Sequence, residues 1–583
     1  MNLIVSEELH SGPAKAPGTN HSALSFSNKI TVEAVVDMEL TAPEALQSIV
    51  SQWRIRADFH GFDAFDAEEI ATSAGSGFFG AVFDGRHVYF CPMQYGRQDY
   101  HGKVLRFDTH ADFKQNSSYE IYDASNTGGL DTRGYYGGAF DGRYVYFVPR
   151  KTEKQRHSRV LRFDSRGDFH SPANWDAYDA GLTNCRQGAA FDGRYLYFAP
   201  GYEDENPVDE KIPSNKVLRL DTRGDFHEAS SWKVHDASGL SAKPYGCYDG
   251  AVFDGRHVYF VPLMHQTVLR YDTAGAFEDP HSWKIFDAST LNIGMNVGAL
   301  FDGGAIYFIP YGHGNAVRLE CRKEFSSPES WSQIDLADCF PEKHMGFDGG
   351  FYDGRYIYFV PFVAQGGEGP VFHTNFLRHE CAKPFRDRAS WSLTDIAKTN
   401  GLITCGYNAG VFDGRFFYCA PWRDGTKRGR KEIGVHATVL RYDTTGDQAV
   451  FSLRAADFGH NGGLCAAVPG PTFLVNTDKG VIGVSAHRTL NPGRHHIVGV
   501  YDGTSIRLYI DGELAAKRSA SGNIANAAIP VTRGCLEDGS APFFGRIEYA
   551  SVSNEAKDER HVRERARQTA CGGAGTLSHA TNQ

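Results

Sequence analysis

The strand-forming stretches of this chain are short. Apolar and polar positions alternate with a period of two over five or six residues, and Gly, Asp and Ser separate the runs. This is the pattern of half-buried strands joined by tight turns. One motif recurs seven times: GAVFDGRHVYFCP (80–92), GGAFDGRYVYFVP (137–149), GAAFDGRYLYFAP (188–200), GAVFDGRHVYFVP (250–262), GALFDGGAIYFIP (298–310), GGFYDGRYIYFVP (349–361) and AGVFDGRFFYCAP (409–421). Its Asp stands at 84, 141, 192, 254, 302, 353 and 413, at spacings of 48 to 62 residues. Strand-rich repeats of this length predict propeller blades.

Each repeat predicts four strands. Small apolar residues before Phe-Asp form the first, and Asp-Gly makes a two-residue hairpin because Gly accepts a positive φ. The VYFVP-like run is the second, and runs such as VLRFDT (104–109) and VLRYDT (439–444) are the third. The fourth carries an aromatic and then Asp, as in Trp175/Asp179. Only six fourth strands follow the seven motifs. The seventh lies upstream, where ADFHGFDAFDA (57–67) matches GDFHSPANWDAYDA (167–180) and sets Phe62 and Asp66 on the aromatic and Asp positions. An outer strand taken from the N-terminal side closes the ring and removes exposed sheet edges. The strand plan resembles kelch-like propellers, without their double-glycine signature.

Beyond residue 445 the pattern changes. GRHHIVGVYDGTSIRLYIDGELAA (493–516) and FFGRIEYASVSNEAKDERHVRER (543–565) resemble the core and closing segment of laminin-G-like, concanavalin A-type jelly rolls. Arg494 replaces the family's usual Trp. The opening strands of that family resemble SALSFSNKITVEAVVDMEL (22–40) and QSIVSQW (47–53), and its next strand resembles AVFSLRAA (449–456). The predicted fold is all-β: a seven-bladed β-propeller inserted into a laminin-G-like β-sandwich. Residues 1–21 form an N-terminal extension, 22–56 the first part of the sandwich, 57–444 the propeller, 445–570 the second part and 571–583 a disordered tail. Insertion is easy here because a closed ring brings its two chain ends together.

Composition fits this plan. Gly is 64 of 583 residues and aromatics are 13%, as seven Asp-Gly hairpins and seven VYF strands require. The net charge of −10 argues against nucleic acid as a partner. No window approaches 18 uncharged apolar residues, so no membrane span is expected. The eleven cysteines are scattered without a CxxC pair, and the N-terminus lacks a basic, then apolar, leader. Reduced thiols in a cytoplasmic protein are the expectation.

Repetition sorts architecture from function: what every blade carries is structural, and what one blade carries is a candidate. The seven turn Asp and the seven VLR-type Arg fall in the first class. A histidine precedes the third strand in six blades, at His101, His157, His265, His313, His373 and His436. A metal cluster is one reading. Hydrogen bonding from blade to blade is the reading that strand spacing favours, since third strands lie far from the axis. A divalent metal in the propeller, or calcium in the sandwich, is left open as a cofactor. In the sandwich, His495 and His496 match the family's structural pair and read as core.

The positions before each first strand vary from blade to blade. One step before the motif stand Phe79, Tyr136, Gln187, Asp249, Val297, Asp348 and Asn408; one step earlier stand Phe78, Tyr135, Arg186, Tyr248, Asn296, Phe347 and Tyr407. Carboxylates, amides, one Arg and aromatics converging on a channel mouth have the composition of a ligand pocket. The alternative is that they plug the channel by packing. The loops from second to third strand are short in blades 4 and 5 (263–267, 311–315) and long in blades 3 and 7 (201–216, 422–438). Basic runs 150–159 and 423–432 flank blade 1, which adds Arg97 and Lys103, and an acidic run occupies 203–210. Arg150 and Arg423 thereby join the binding candidates.

No GxSxG, HExxH or Walker A string is present. The expected function is recognition of a small anionic or glycan-type ligand at the propeller mouth, with the sandwich as a second contact surface. Two alternatives stand beside it. One is a lyase- or cyclase-type enzyme, metal-assisted or not, with Tyr248, Asp249, Asp348, Tyr407 and Arg186 as catalytic candidates. The other is a protein-interaction scaffold.

Overall fold

The computed structural model describes residues 3–5, 9–10, 23–38, 46–71, 76–96, 98–203, 212–311, 314–341, 345–364, 371–425, 434–456, 465–467, 470–486, 490–543 and 545–571. The chain divides into two compact units. One comprises 57–444 with 458–468; the other comprises 1–56, 445–457 and 469–583.

The first unit is the propeller. Blade 1 is the antiparallel sheet Phe78–Phe83, His87–Pro92, Lys103–Asp108 and Tyr119–Asp123. Blades 2 to 6 repeat it, with innermost strands Tyr135–Phe140, Asn184–Phe191, Tyr248–Phe253, Asn296–Phe301 and Phe347–Tyr352. Blade 7 holds Tyr407–Phe412, Phe416–Pro421 and Thr438–Asp443, and its outer strand is Phe62–Asp66, paired from Tyr442↔Phe62 to Thr438↔Asp66. Each innermost strand contacts the next, and the seventh returns to the first. Residues Cys465–Ala467 add one further strand, parallel to Gly138–Phe140 on the channel edge of blade 2.

The repeated residues explain themselves. In every blade one oxygen of the turn Asp accepts the N–H groups two and three residues on, as Asp84 does from Arg86 and His87, both at 2.7 Å. Its other oxygen accepts the Tyr hydroxyl of the second strand, Tyr89 in blade 1, at 2.8 Å. The same pair of contacts recurs at Asp141, Asp192, Asp254, Asp302, Asp353 and Asp413. The VLR-type Arg joins blades in six of the seven, whereas Arg318 lies over Tyr307 of its own blade. Arg106 lies over Phe169, Arg162 over Phe226, Arg219 over Phe277 and Arg270 over Phe325, at 3.8 to 4.4 Å from the ring centres. Arg378 over Phe59 and Arg441 over Phe113 carry the clasp through blade 7 back to blade 1. Each such contact contributes about 0.5–2 kcal/mol, and the set distributes closure around the ring.

The second unit is a two-sheet sandwich. One sheet runs Leu3–Val5, Gly545–Ser553, Ile30–Met38, Gly493–Tyr501, Ser505–Ile510, Glu513–Ser519; the other runs Gly480–Ser485, Thr472–Thr477, Ala449–Ala456, Gln47–Trp53, Thr532–Arg533. Gln47–Trp53 and Ala449–Ala456, the strands flanking the insertion, pair antiparallel with each other. Their facing side chains, including Ile49, Phe451, Phe473 and Leu508, form one core. The supposed N-terminal extension is partly structural, since Leu3–Val5 and Leu9–His10 pair with Gly545–Ser553. Most of the tail, 572–583, lies outside the described residues. No helix among the described residues is long and apolar enough to cross a membrane.

Candidate functional site

A β-bulge builds the site. In blade 1 Phe78 pairs with Pro92 and Ala81 with Phe90, so Phe79 and Gly80 together oppose Cys91. The same shift interrupts the first strand of blades 2 and 4 to 7, and blade 3 shifts at Arg186/Ala189. The second bulge residue takes positive φ: Gly80, Gly137, Gly188, Gly250, Gly298 and Gly349, with Ala409 (φ 50°) in blade 7. A bulge bends its strand and re-aims a side chain. Here it turns Phe79, Tyr136, Gln187, Asp249, Val297, Asp348 and Asn408 into one cavity of about 590 Å³ at the channel mouth.

A second ring stands above the first. In five of the seven blades the residue after the motif's Pro joins the lining: Met93, Arg150, Leu263, Tyr311 and Trp422. Aromatic rings run round one side: Tyr136 meets Phe79 edge-on at 4.7 Å, Phe79 meets Trp422 at 4.3 Å, Trp422 stacks on Phe362 at 5.5 Å, and Phe362 stacks on Tyr311 at 5.5 Å. The half-buried Arg150 guanidinium lies 4.4 Å from the Tyr136 ring centre and 5.3 Å from that of Phe79. Arg423 lies 4.1 Å from Trp422. Among the described residues neither guanidinium is held by a carboxylate at ion-pair distance.

The floor is polar and buried. Asp249 and Asp348 are 2% and 1% exposed. Asp249 Oδ2 accepts from Tyr136 Oη at 3.0 Å and Gln187 Nε2 at 2.6 Å; Asp348 Oδ2 accepts from Asn408 Nδ2 at 2.7 Å. Among the described residues four oxygens of this floor have no hydrogen-bond partner: Asp249 Oδ1, Asp348 Oδ1, Gln187 Oε1 and Asn408 Oδ1. Burial pushes the Asp249 carboxyl up to about 7, against the pull of Arg150, Tyr136 and Gln187. Burial, with the charge of Asp249 beside it, pushes Asp348 well above the usual carboxylate range.

The two sequence-derived rings part company. The bulge leaves Phe78, Tyr135, Arg186, Tyr248, Asn296, Phe347 and Tyr407 off the cavity. Tyr248 Oη donates to Asn215 Oδ1 at 3.4 Å, Arg186 donates to the Lys216 carbonyl at 2.7 Å, and Asn296 accepts from Gly294 N at 2.9 Å. As catalytic candidates Tyr248, Tyr407 and Arg186 are thus corrected: their side chains pack within and between blades, off the cavity that Asp249 and Asp348 line.

The histidines share that packing. His101 meets Phe78 edge-on, His157 meets Tyr135, His373 meets Phe347 and His436 meets Tyr407, at 5.3 to 6.0 Å. Nε2 of His101, His157 and His373 bonds to the carbonyls of Ser76, Arg133 and Gly346 at 2.7 to 3.1 Å. Their Nδ1 atoms, and that of His436, accept the N–H two residues on. Burial lowers His101 to about 4 and His157 to about 3, so both are neutral. These rings are blade clamps rather than a metal cluster. His265 is half-buried, and His313 lies outside the described residues, as do Arg97, 204–211 and 426–433. Among the described residues no three His, Cys, Asp or Glu side chains are placed to hold a metal. In the sandwich, His496 bonds Glu33 at 2.9 Å and His495 bonds Asp511 at 2.8 Å.

Sequence reasoning did not single out Tyr311, Trp422, Met93 or Leu263. The signal was present, because the residue after the motif's Pro also changes in every blade.

Residues 440–563 match the family model of the concanavalin A-like lectin/glucanases superfamily. Among solved structures, a crystal structure of a nidogen/laminin complex matches with 13% identity and a TM-score of 0.30, over 53% of this chain and 96% of that one. No curated protein matches the chain.

Proposed function

We propose that the propeller mouth binds a small hydroxylated anion of saccharide type, an acidic sugar unit. One observation carries this reading. Asp249, Asp348, Gln187 and Asn408, each with a buried side-chain oxygen that has no hydrogen-bond partner among the described residues, line a cavity walled by aromatic rings and topped by two guanidiniums that no described carboxylate meets at ion-pair distance. A buried acceptor left unmade costs about 1–3 kcal/mol, so such a set favours a ligand rich in O–H donors. Sugar rings supply those donors, and their C–H faces stack on aromatic side chains. Arg150 and Arg423 offer planar donor pairs that suit a carboxylate. The likeness of the second unit to lectins and glucanases is in keeping with a saccharide partner.

Calorimetric titration tests the reading with sodium D-glucuronate, its methyl glycoside and the neutral methyl glucoside. Acidic sugars should bind and the neutral one should bind more weakly. Arg150→Gln should weaken the acidic sugars at least tenfold, the loss expected for a charge-assisted contact of roughly 1.5–3 kcal/mol. No measurable binding of any acidic sugar would refute the proposal.

A second reading is acid–base catalysis on the same ligand. It is favoured by Asp249, whose carboxyl titrates near neutrality beside Tyr136 in the cavity. A lyase would form a carbon–carbon double bond in acidic oligosaccharides. Ultraviolet absorbance follows that product, and a flat trace with wild-type protein excludes this reading.

A further inference from the structure

The cavity has two unlike sides, and ring order places them across from each other. Blades 7, 1 and 2 are consecutive and carry Trp422, Arg423, Phe79, Tyr136 and Arg150. In a ring of seven, the blades opposite blade 1 are 4 and 5. These contribute Leu263, Met264 and Met295 to the same lining. Met264 is 44% exposed and Met295 46%, unusual for large apolar side chains. Blade 4 has a short loop from second to third strand, 263–267, and sets Asp249 in the floor of the same cavity.

Met295 is also held in an unusual backbone state. Its φ is 50°, in the left-handed region. The matching positions of blades 1, 2 and 7 are Gly77, Gly134 and Gly406, which adopt positive φ without strain. The Met295 N–H donates to the Leu263 carbonyl at 2.7 Å, and its carbonyl accepts the Tyr311 N–H at 2.8 Å. A position suited to glycine thus carries a flexible thioether, pinned on both sides. Strain of this kind concentrates at ligand sites, and Met surfaces adapt to varied apolar shapes.

We infer that the mouth reads both ends of its ligand: the acidic sugar faces blades 7, 1 and 2, and an apolar aglycone lies across Leu263, Met264 and Met295. The ligand class is an aryl or alkyl glycosiduronate. This rests on the acidic-sugar reading above and names what that sugar carries. The volume agrees, since about 590 Å³ lies within the roughly 300–1,000 Å³ that encloses a drug-sized molecule.

The test is calorimetric titration of the full chain with three probes: methyl glucuronide, 4-nitrophenyl glucuronide and 4-nitrophenyl glucoside. The aryl glucuronide should bind about tenfold or more tighter than the methyl glucuronide, a typical preference for added apolar contact. The aryl glucoside should be the weaker of the two aryl probes. In a Met264→Ser/Met295→Gly chain that preference should fall to about even, while methyl glucuronide affinity stays within about twofold. Glycine suits the backbone at 295, and Met264→Ser alone, on an exposed side chain, serves as the second variant. Equal affinity for the two glucuronides in wild type overturns the inference and leaves the acidic-sugar reading standing. A preference that survives in both variants overturns the placement of the aglycone. Failure of every glucuronide to bind overturns both readings.

Discussion

Asp249 is a carboxyl whose folded environment favours its neutral form, and that has a consequence for stability. The unfolded chain releases this proton near pH 4, the folded chain near 7. Folding therefore takes up a proton between these values, and the contribution of Asp249 falls as pH rises through the window. A shift of this size corresponds to up to about 4 kcal/mol at the alkaline end. Wild type should lose melting temperature relative to Asp249→Asn between about pH 4 and 7. Parallel curves for the two proteins would show that Asp249 is not held neutral. The sequence pointed to this ring but not to which of its two adjacent members faces the channel. Strand alternation alone leaves Tyr248 and Asp249 equivalent. The bulge decides between them, and only a glycine at the next position, replaced by Ala409 in blade 7, hinted at it.

At the scale of elements, the glycines that open the first strands of blades 1, 2, 6 and 7 hold the mouth in place. Arg150 N and Lys151 N both donate to the Gly134 carbonyl. A Cβ at Gly134 would stand 1.8 Å from the Lys151 carbonyl oxygen, at φ +73°. Gly134→Ala should cost about 1–3 kcal/mol and displace Arg150. Thermal melts and acidic-sugar titration would register the two effects together; a variant as stable as wild type would contradict the geometry. The closing strand gives a second prediction. Phe62 lies 4.6 Å from Tyr442 and 5.3 Å from Phe376. Because it is only partly buried, Phe62→Ala should lose about 2 kcal/mol, below the 3–5 of a full core site. An unchanged urea midpoint would mean the outer strand does not stabilise blade 7. This strand was legible in the sequence, because the echo of 57–67 in 167–180 carries aromatic and Asp at fixed offsets. The ring after the motif's Pro was equally visible but lay just past the repeat boundary, where a motif-centred reading stops. Loop lengths were countable too, yet only ring order shows that the short loop of blade 4 lies across from blades 7 and 1.

Across the whole molecule the two units differ in how far their contacts reach along the chain. Every blade but the seventh is made from neighbouring hairpins, whereas the sandwich pairs Ile30 with Tyr501 and Thr31 with Ser553. Contacts so distant in sequence fold slowly. Residues 57–444 made alone should unfold in one cooperative transition by circular dichroism, while 1–56 made alone should show no such transition. A propeller piece that melts without cooperativity would show that it depends on the second unit. The fold plan was readable because seven near-copies average out the ambiguity of any one strand. The parallel strand Cys465–Ala467 was not, since nothing in its sequence distinguishes a strand that pairs locally from one that joins a distant sheet edge.

The closing strand also sets a timetable. Asp66 leaves the ribosome about 370 residues before its partner Thr438. At roughly 5–20 residues per second, the first-made strand waits on the order of 20 to 75 s. Throughout that interval six blades can assemble while the sheet of blade 7 that this strand joins does not exist. Ring closure thus doubles as a completeness check: a chain broken off in blade 7 keeps both a strand and an open seam on display, which marks it out to chaperones and proteases from finished protein.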